Sequence, residues 1–194
     1  MIRKCLLRLD NVSYKYRRKY IFKNVSYEFL KGNIYVIEGQ YGRLFLDLLS
    51  GFKRVREGYI YYEGNVLKKN IFKRKISSIL KNYYLKPNLT VRENLNLKKY
   101  SYEIREILQK VKLNASYLDK RIDELDKLEC MKVVLAKSLK DNPKIIIIDE
   151  LIINLKSKEI INILKYLAYR DDKCIFIIRD KLKSEGLKIS EFTF

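Results

Sequence analysis

Alternating hydrophobic and polar residues in the first third of the chain predict short strands joined by turns. The predicted strands are Leu6–Leu9, Asn24–Phe29, Asn33–Glu38 and Gly58–Tyr62. Between the third and fourth strands the pattern changes, because Leu44, Phe45, Leu48 and Leu49 recur at helical spacing. A helix is therefore predicted to end near Gly51.

The middle of the chain, residues 85–139, is predicted to be mostly helical. Thr90 and Glu93 have the spacing of a capping box, which places a helix start at Val91. Further apolar stripes lie at Ile104, Ile107, Leu108 and Val111, and then at Val133, Val134, Ala136 and Leu139. The last third predicts a buried strand at residues 145–148, a helix over Ser157–Arg170 and a strand at Cys174–Ile178.

Strands that alternate with helices predict an α/β fold with a mainly parallel sheet. The early strands add an N-terminal antiparallel β part, and residues of about 85–140 add a helical subdomain. At 194 residues we expect one domain covering 1–194.

Charge and composition narrow the function classes. The chain has no histidine, which effectively excludes zinc chemistry and histidine-based acid–base catalysis. The apolar runs are too short to span a bilayer, and the N-terminus does not have the pattern of a signal peptide. Forty-two basic residues against 23 acidic ones give a formal charge of +19. Genomic bias with solubility, a membrane-surface role and nucleic-acid binding all remain open explanations of this charge, in that order of preference.

The order of these segments resembles the nucleotide-binding domain of ATP-binding-cassette (ABC) transporters along nearly the whole chain. The similar segments are residues 9–16 with 22–26, 48–51 with 57–64, 87–94, and the acidic strand 143–150. The resemblance implies a P-loop NTPase-like fold that binds ATP and Mg²⁺. It also implies a partner permease on a separate chain and pairing with a second cassette.

The phosphate loop of that family has the pattern G-x-x-x-x-G-K-[ST], in which backbone N–H groups and the lysine hold phosphates and the hydroxyl holds Mg²⁺. Here the segment begins at Gly39. Counting forward from Gly39 puts Phe45 at the lysine position, whereas counting back from residues 50–51 puts Gly42 there and implies a shortened loop. Neither register supplies a lysine, and Arg43 is the cation that could replace it at a helix N-terminus.

Other family positions also depart from the pattern. Lys81 falls where the glutamine loop is expected, and Arg179 falls at the switch histidine. The signature Leu-Ser-Gly-Gly-Gln aligns with Leu125 followed by Asp126, Lys127, Leu128 and Glu129. A carboxylate and two larger side chains therefore occupy positions that contact the partner's γ-phosphate in the family.

Three candidate residues keep the chemical type that the family needs. The resemblance assigns Asp149 to Mg²⁺ and Glu150 to the attacking water, although both could be relics at a strand end. Tyr16 falls where the family stacks an aromatic ring on adenine, and packing is the competing interpretation.

Losing the lysine, the hydroxyl and the switch histidine together would remove roughly 4–9 kcal/mol of interaction with the nucleotide. Since 1.36 kcal/mol is tenfold in rate, we expect hydrolysis to fall about a thousandfold or more. The sequence thus predicts a degenerate, non-hydrolysing ABC subunit in which ATP and Mg²⁺ bind weakly or not at all. It would be a structural or regulatory partner of a membrane permease or a competent cassette, in the cytoplasm on the inner face of the membrane, as a homo- or heterodimer. The alternatives are an unusual active ATPase that uses Arg43 and, least favoured, a nucleic-acid-associated relative.

Overall fold

The computed structural model describes residues 4–39, 41–49, 53–67, 75–79, 85–97, 101–150, 155–179 and 188–191. The strands in these ranges are β1 (Cys5–Tyr16), β2 (Lys19–Leu30), β3 (Ile34–Glu38), β4 (Glu57–Tyr62), β5 (Asn65–Val66), β6 (Ile76–Ile79), β7 (Ile145–Asp149), β8 (Cys174–Arg179) and β9 (Lys188–Glu191). The α-helices are α1 (Gly42–Leu49), α2 (Val91–Asn94), α3 (Tyr102–Lys110), α4 (Lys127–Leu139) and α5 (Lys158–Tyr169).

The strands form two sheets of different kinds. The first is antiparallel, with the order β2-β1-β4-β5. The second has the order β6-β7-β8-β3-β9, in which the first four strands are parallel and β9 runs antiparallel along the β3 edge. The mainly parallel sheet and the N-terminal antiparallel part that the sequence predicts are both confirmed.

The central strands are buried on both faces, and successive side chains face opposite layers. In β3, Ile34 and Val36 join the core beneath α2–α5, whereas Tyr35 and Ile37 join the core shared by α1 and the antiparallel sheet. The parallel sheet therefore lies between a helical layer and a layer made of α1 and the antiparallel sheet. This arrangement leaves the ends of its strands as the places where polar side chains can gather.

Local sequence signals set several element boundaries. Thr90 and Glu93 form the predicted capping box at α2, and the Ser157 hydroxyl caps α5. The predicted strand at residues 6–9 is wrong in extent, since β1 continues to Tyr16 through several bulges against β2. Strands β6 and β9 have no counterpart in the prediction.

One lysine is buried at the start of β8. Lys173 is 2% exposed, and its Nζ donates to Asn142 Oδ1 at 3.0 Å and to Pro143 O at 2.8 Å. These contacts join the turn before β8 to the turn before β7. In the described ranges, no helix combines the length and the apolar content that crossing a membrane requires.

Candidate functional site

Three parallel strands bring charged side chains together at their carboxyl ends. Glu38 at the end of β3 pairs in register with Arg179 at the end of β8. The next strand, β7, ends at Asp149, and the Glu150 N–H donates to Ile178 O at 3.0 Å. The carboxyl edge of a parallel sheet is where open α/β folds bind ligands. We therefore take this edge as the candidate site.

The loop between β3 and α1 is short. Gly39 has φ of 123°, and the Gly42 N–H donates to Gly39 O at 3.0 Å, so α1 begins at once after the turn. Phe45 is 1% exposed, and its ring lies 5.5 Å from that of Phe22. Because Phe45 lies in the core, the helix start favours the register in which Gly42 takes the lysine position and the loop is shortened.

Arg43 extends from the first turn of α1 towards the end of β7. Its Nη2 lies 4.0 Å from Asp149 Oδ2, and about half of the Arg43 side chain is exposed. A long, half-exposed ion pair of this kind contributes at most about 1 kcal/mol. Arg43 therefore lies next to the carboxylate that the resemblance assigns to Mg²⁺, and its role with phosphate stays a prediction.

The closest contacts of the site are those of Arg179. Its Nε and Nη2 donate to the two oxygens of Glu150 at 2.7 and 2.9 Å, while Nη1 donates to Glu38 Oε1 at 2.9 Å. The pKa of Arg179 is raised above its ordinary value, mainly by the hydrogen bonds to Glu150. The hydrogen bond to Glu38 raises this pKa further, whereas burial lowers it. The guanidinium is therefore permanently charged and held between two carboxylates.

This arrangement, which we call the Arg179 clamp (Glu38, Glu150 and Arg179), ties β3, β7 and β8 together. Fork-like pairing of arginine with a carboxylate combines two charge-assisted bonds in one fixed geometry. It also occupies one acceptor position on each oxygen of Glu150 and fixes the orientation of this carboxylate. Glu38 is not among the candidate residues that the sequence indicates. The available signal was an acid that ends an apolar strand directly before Gly39.

The predicted signature segment forms the N-terminus of α4. Asp126 is the N-cap, with Oδ1 accepting from the Glu129 N–H at 2.8 Å and Glu129 Oε2 accepting from the Asp126 N–H at 2.9 Å. Tyr117 donates its hydroxyl to the other Glu129 oxygen at 2.8 Å. Lys127 is exposed, and Leu128 packs partly against the helical core. Two carboxylates of the chain itself therefore occupy a helix end that would otherwise attract an anion.

Replacing Asp126 tests how much this cap contributes. Asp126→Ala is expected to lower the free energy of unfolding by about 1 kcal/mol, because α4 loses its side-chain acceptor. Asp126→Ser should change it by less than about 0.5 kcal/mol, since serine caps a helix as well as aspartate does. Urea unfolding checks both, and an equal loss in the two variants would contradict the assignment.

The remaining candidates lie apart from the clamp. Tyr16 is at the end of β1 and 57% exposed, with the Arg17 guanidinium 5.5 Å from its ring centroid, so packing into the core does not explain it. Lys81 lies outside the described residues. Among the residues that the structure describes, no group of three or more acids and cysteines is arranged to hold a metal ion.

A glycine turn that leads from a parallel strand into a helix, beside a second strand that ends in carboxylates, is an arrangement typical of nucleotide-binding α/β domains, P-loop proteins among them. The family model described as "ABC transporter" matches residues 22–152, which is most of the chain. The chain therefore belongs to the ABC transporter family, of which it is an ATP-binding cassette.

Relatives and solved structures agree with this placement. The chain is 28% identical to the uncharacterized ABC transporter ATP-binding protein YclH of Bacillus subtilis, with 89% of this chain and 86% of YclH covered. It is also 28% identical to the spermidine/putrescine import ATP-binding protein PotA of Spiroplasma citri, but spans only 45% of that protein.

Two solved structures share the fold. The cbiO1 protein of Clostridium perfringens, part of the ABC transporter complex cbiONQ, superposes with a TM-score of 0.75 at 15% identity, covering 92% of this chain and 79% of cbiO1. A dimeric ATP-binding cassette in a post-hydrolysis state, bound to ADP and Pi, gives 0.64 at 24% identity, covering 91% of this chain and 89% of that cassette.

Proposed function

We propose that this chain is a cassette subunit of an ABC transporter that does not hydrolyse ATP and acts as a structural or regulatory partner. Its partners would be a membrane permease on a separate chain and a second cassette, either a copy of itself or a competent one. The relatives named as import ATP-binding proteins and the dimeric cassette support this assembly.

The Arg179 clamp is the observation that carries the proposal. A catalytic carboxylate must turn one oxygen towards the attacking water, and Arg179 holds both Glu150 oxygens in the clamp through two charge-assisted hydrogen bonds. Freeing Glu150 would break two charge-assisted hydrogen bonds and cost about 3 kcal/mol, which is roughly a hundredfold in rate.

The loop and the signature segment support the same conclusion. Residues 39–46 contain no lysine, and α1 begins at Gly42 with no serine or threonine in its first turn. Asp149 and Arg43 are suited to bind a cation and an anion respectively, but the ammonium that neutralises a triphosphate is missing. At α4, the carboxylates of Asp126 and Glu129 each accept from a backbone N–H of the signature segment and place negative charge where a γ-phosphate would bind.

Phosphate release from Mg-ATP by the purified chain tests the proposal. We expect no turnover above that of a heat-inactivated sample, and no change in Glu150→Gln. Turnover that Glu150→Gln abolishes would overturn the proposal.

Calorimetry with Mg-ATP distinguishes the proposed non-hydrolysing subunit from the alternative in which the chain is an unusual ATPase. Weak or no binding is expected, because the helix N-terminus and Arg43 alone must hold the phosphates. Tight binding that Arg43→Ala removes, together with turnover, would favour the alternative. Arg92→Ala, at a partly exposed arginine on α2 that pairs with Asp119, is the matched control for loss of one guanidinium.

A further inference from the structure

Basic residues gather at the hairpin that joins β1 and β2. The hairpin patch comprises Lys15, Arg17, Arg18, Lys19, Lys23, Lys53, Arg54 and Arg56, all exposed except for the half-buried Lys15. Segments 14–23 and 53–57 contain these eight basic residues and one acid, Glu57, and Lys53 also pairs with Asp47 Oδ2 at 3.6 Å. The whole chain has 42 basic residues to 23 acidic ones, so the patch is far more basic than the chain average.

Direct contacts join the two segments of the patch. The Arg56 N–H donates to Ser13 O at 3.1 Å, and the Tyr20 hydroxyl donates to Glu57 Oε1 at 3.1 Å. Lys15 Nζ lies 3.7 Å from the same Glu57 oxygen. The two segments therefore form one continuous basic surface, although they are about 30 residues apart in the sequence.

The tip of the hairpin has an unusual turn. Tyr16 pairs with Lys19, and the two residues between them, Arg17 and Arg18, have φ of 44° and 67°. A two-residue turn with both φ values positive strongly prefers Asn-Gly, because larger side chains are strained there. Two arginines therefore occupy turn positions whose positive φ angles disfavour side chains of this size.

Tyrosine rings accompany the charges. Lys15 and Lys23 lie 4.1 and 5.5 Å from the centroid of Tyr20. On the outer face of the same sheet, Tyr59 is 58% exposed and 6.3 Å from Tyr61. The Arg8 guanidinium lies 4.5 Å from the Tyr61 ring, and on the same face Arg8 is paired with Glu28 and Tyr59 with Asp10, so this part of the sheet carries rings, a cation and two acids.

We propose that the hairpin patch, with Tyr59 and Tyr61, binds an unpaired polynucleotide strand. Proteins that bind single strands combine basic side chains for the phosphates with aromatic rings on which bases stack. Segments that insert into a membrane surface instead expose tryptophan, phenylalanine or leucine, whereas the large apolar side chains exposed on the described part of this surface are tyrosines and Val66. The proposal does not depend on whether the Arg179 clamp prevents hydrolysis.

Fluorescence anisotropy of a labelled oligouridylate, titrated with the full chain at several salt concentrations, tests the proposal. Replacing the tip with the preferred turn, Arg17→Asn with Arg18→Gly, should lower affinity at least tenfold. It should also reduce the salt slope by about two, one for each lost phosphate contact. The melting temperature should stay equal or rise, because the turn strain is removed. Tyr59→Ala should weaken binding about tenfold through lost stacking.

A matched control removes two charges from the helical layer, where Arg105 is exposed on α3 and Lys112 has φ of 56°. Arg105→Gln with Lys112→Gly should keep the wild-type affinity and salt slope. An oligodeoxythymidylate should bind similarly, because the surface recognises phosphates and rings. No anisotropy change with wild type, an equal loss in the control, or binding to phosphatidylserine vesicles but not to oligonucleotides would overturn the proposal. Duplex DNA that binds as tightly as the single strand would overturn it as well.

Discussion

Arg179→Leu is expected to lower the free energy of unfolding by about 3 kcal/mol. The substitution removes three charge-assisted hydrogen bonds and leaves the carboxylates of Glu38 and Glu150 without the cation between them. Breaking a buried pair by removing one partner costs about 3–5 kcal/mol, and the partial exposure of Arg179 places its loss at the lower end. Urea unfolding followed by circular dichroism measures the change.

Arg92 provides a matched control for this prediction. Its Nε and Nη2 also donate to a carboxylate oxygen, that of Asp119, at 3.1 and 2.8 Å, but Asp119 is mostly exposed. Arg92→Leu should therefore lower the free energy of unfolding by less than about 1 kcal/mol. Equal losses in the two variants would mean that the clamp is no stronger than a surface pair.

The second large effect concerns the pH dependence of stability. Burial lowers the pKa of Lys173 to about 8 from its ordinary 10.5, an effect that Asp171 opposes and that Lys110 and Lys144 strengthen. Between these two values the unfolded chain binds more protons than the folded chain, so this lysine makes stability rise with pH. Between pH 8 and pH 10.5, this lysine raises the free energy of unfolding by about 3 kcal/mol. Below pH 8 this gain is absent, because Lys173 is protonated in both the folded and the unfolded chain.

Comparing Lys173→Met with wild type in urea unfolding from pH 7 to pH 11 isolates this contribution. The difference in unfolding free energy should shift by about 3 kcal/mol in favour of wild type as pH rises. Burial also raises the pKa of Tyr35 and Tyr62 to about 12, but both are present in the two proteins and cancel. Lys158→Met, at an exposed position on α5, should leave the difference constant. A constant difference for Lys173→Met would contradict the prediction.

Much of the fold follows from local signals. Strands β7 and β8 are uninterrupted apolar runs, and α5 begins directly after its serine cap, so periodicity and capping place them within a residue or two. Strands β6 and β9 contain only four residues each and include serine, which gives no period strong enough to detect. They form through pairing with β7 and β3, and a short window of sequence does not contain that information.

The candidate site, like the fold, is only partly predictable from the sequence. Alignment with the family placed Arg43, Asp149, Glu150 and Arg179, and the fold brings them to one edge. Glu38 could not be found in this way, because its importance depends on the register between β3 and β8, which are distant in sequence. The hairpin patch could not be predicted for a similar reason: segment 53–57 comes next to the hairpin through the pairing of β1 with β4, which are distant in sequence.

Glu38 and Glu150, which accept hydrogen bonds from Arg179, also limit which residues can replace this arginine during evolution. A change to histidine there would replace a guanidinium that has five N–H donors by a ring that has at most two, so the three hydrogen bonds to Glu38 and Glu150 could not all be kept. Any return to the family's usual residue therefore passes through a less stable protein unless Glu38 changes first. Selection for stability alone would preserve the arginine whether or not the subunit ever meets a nucleotide.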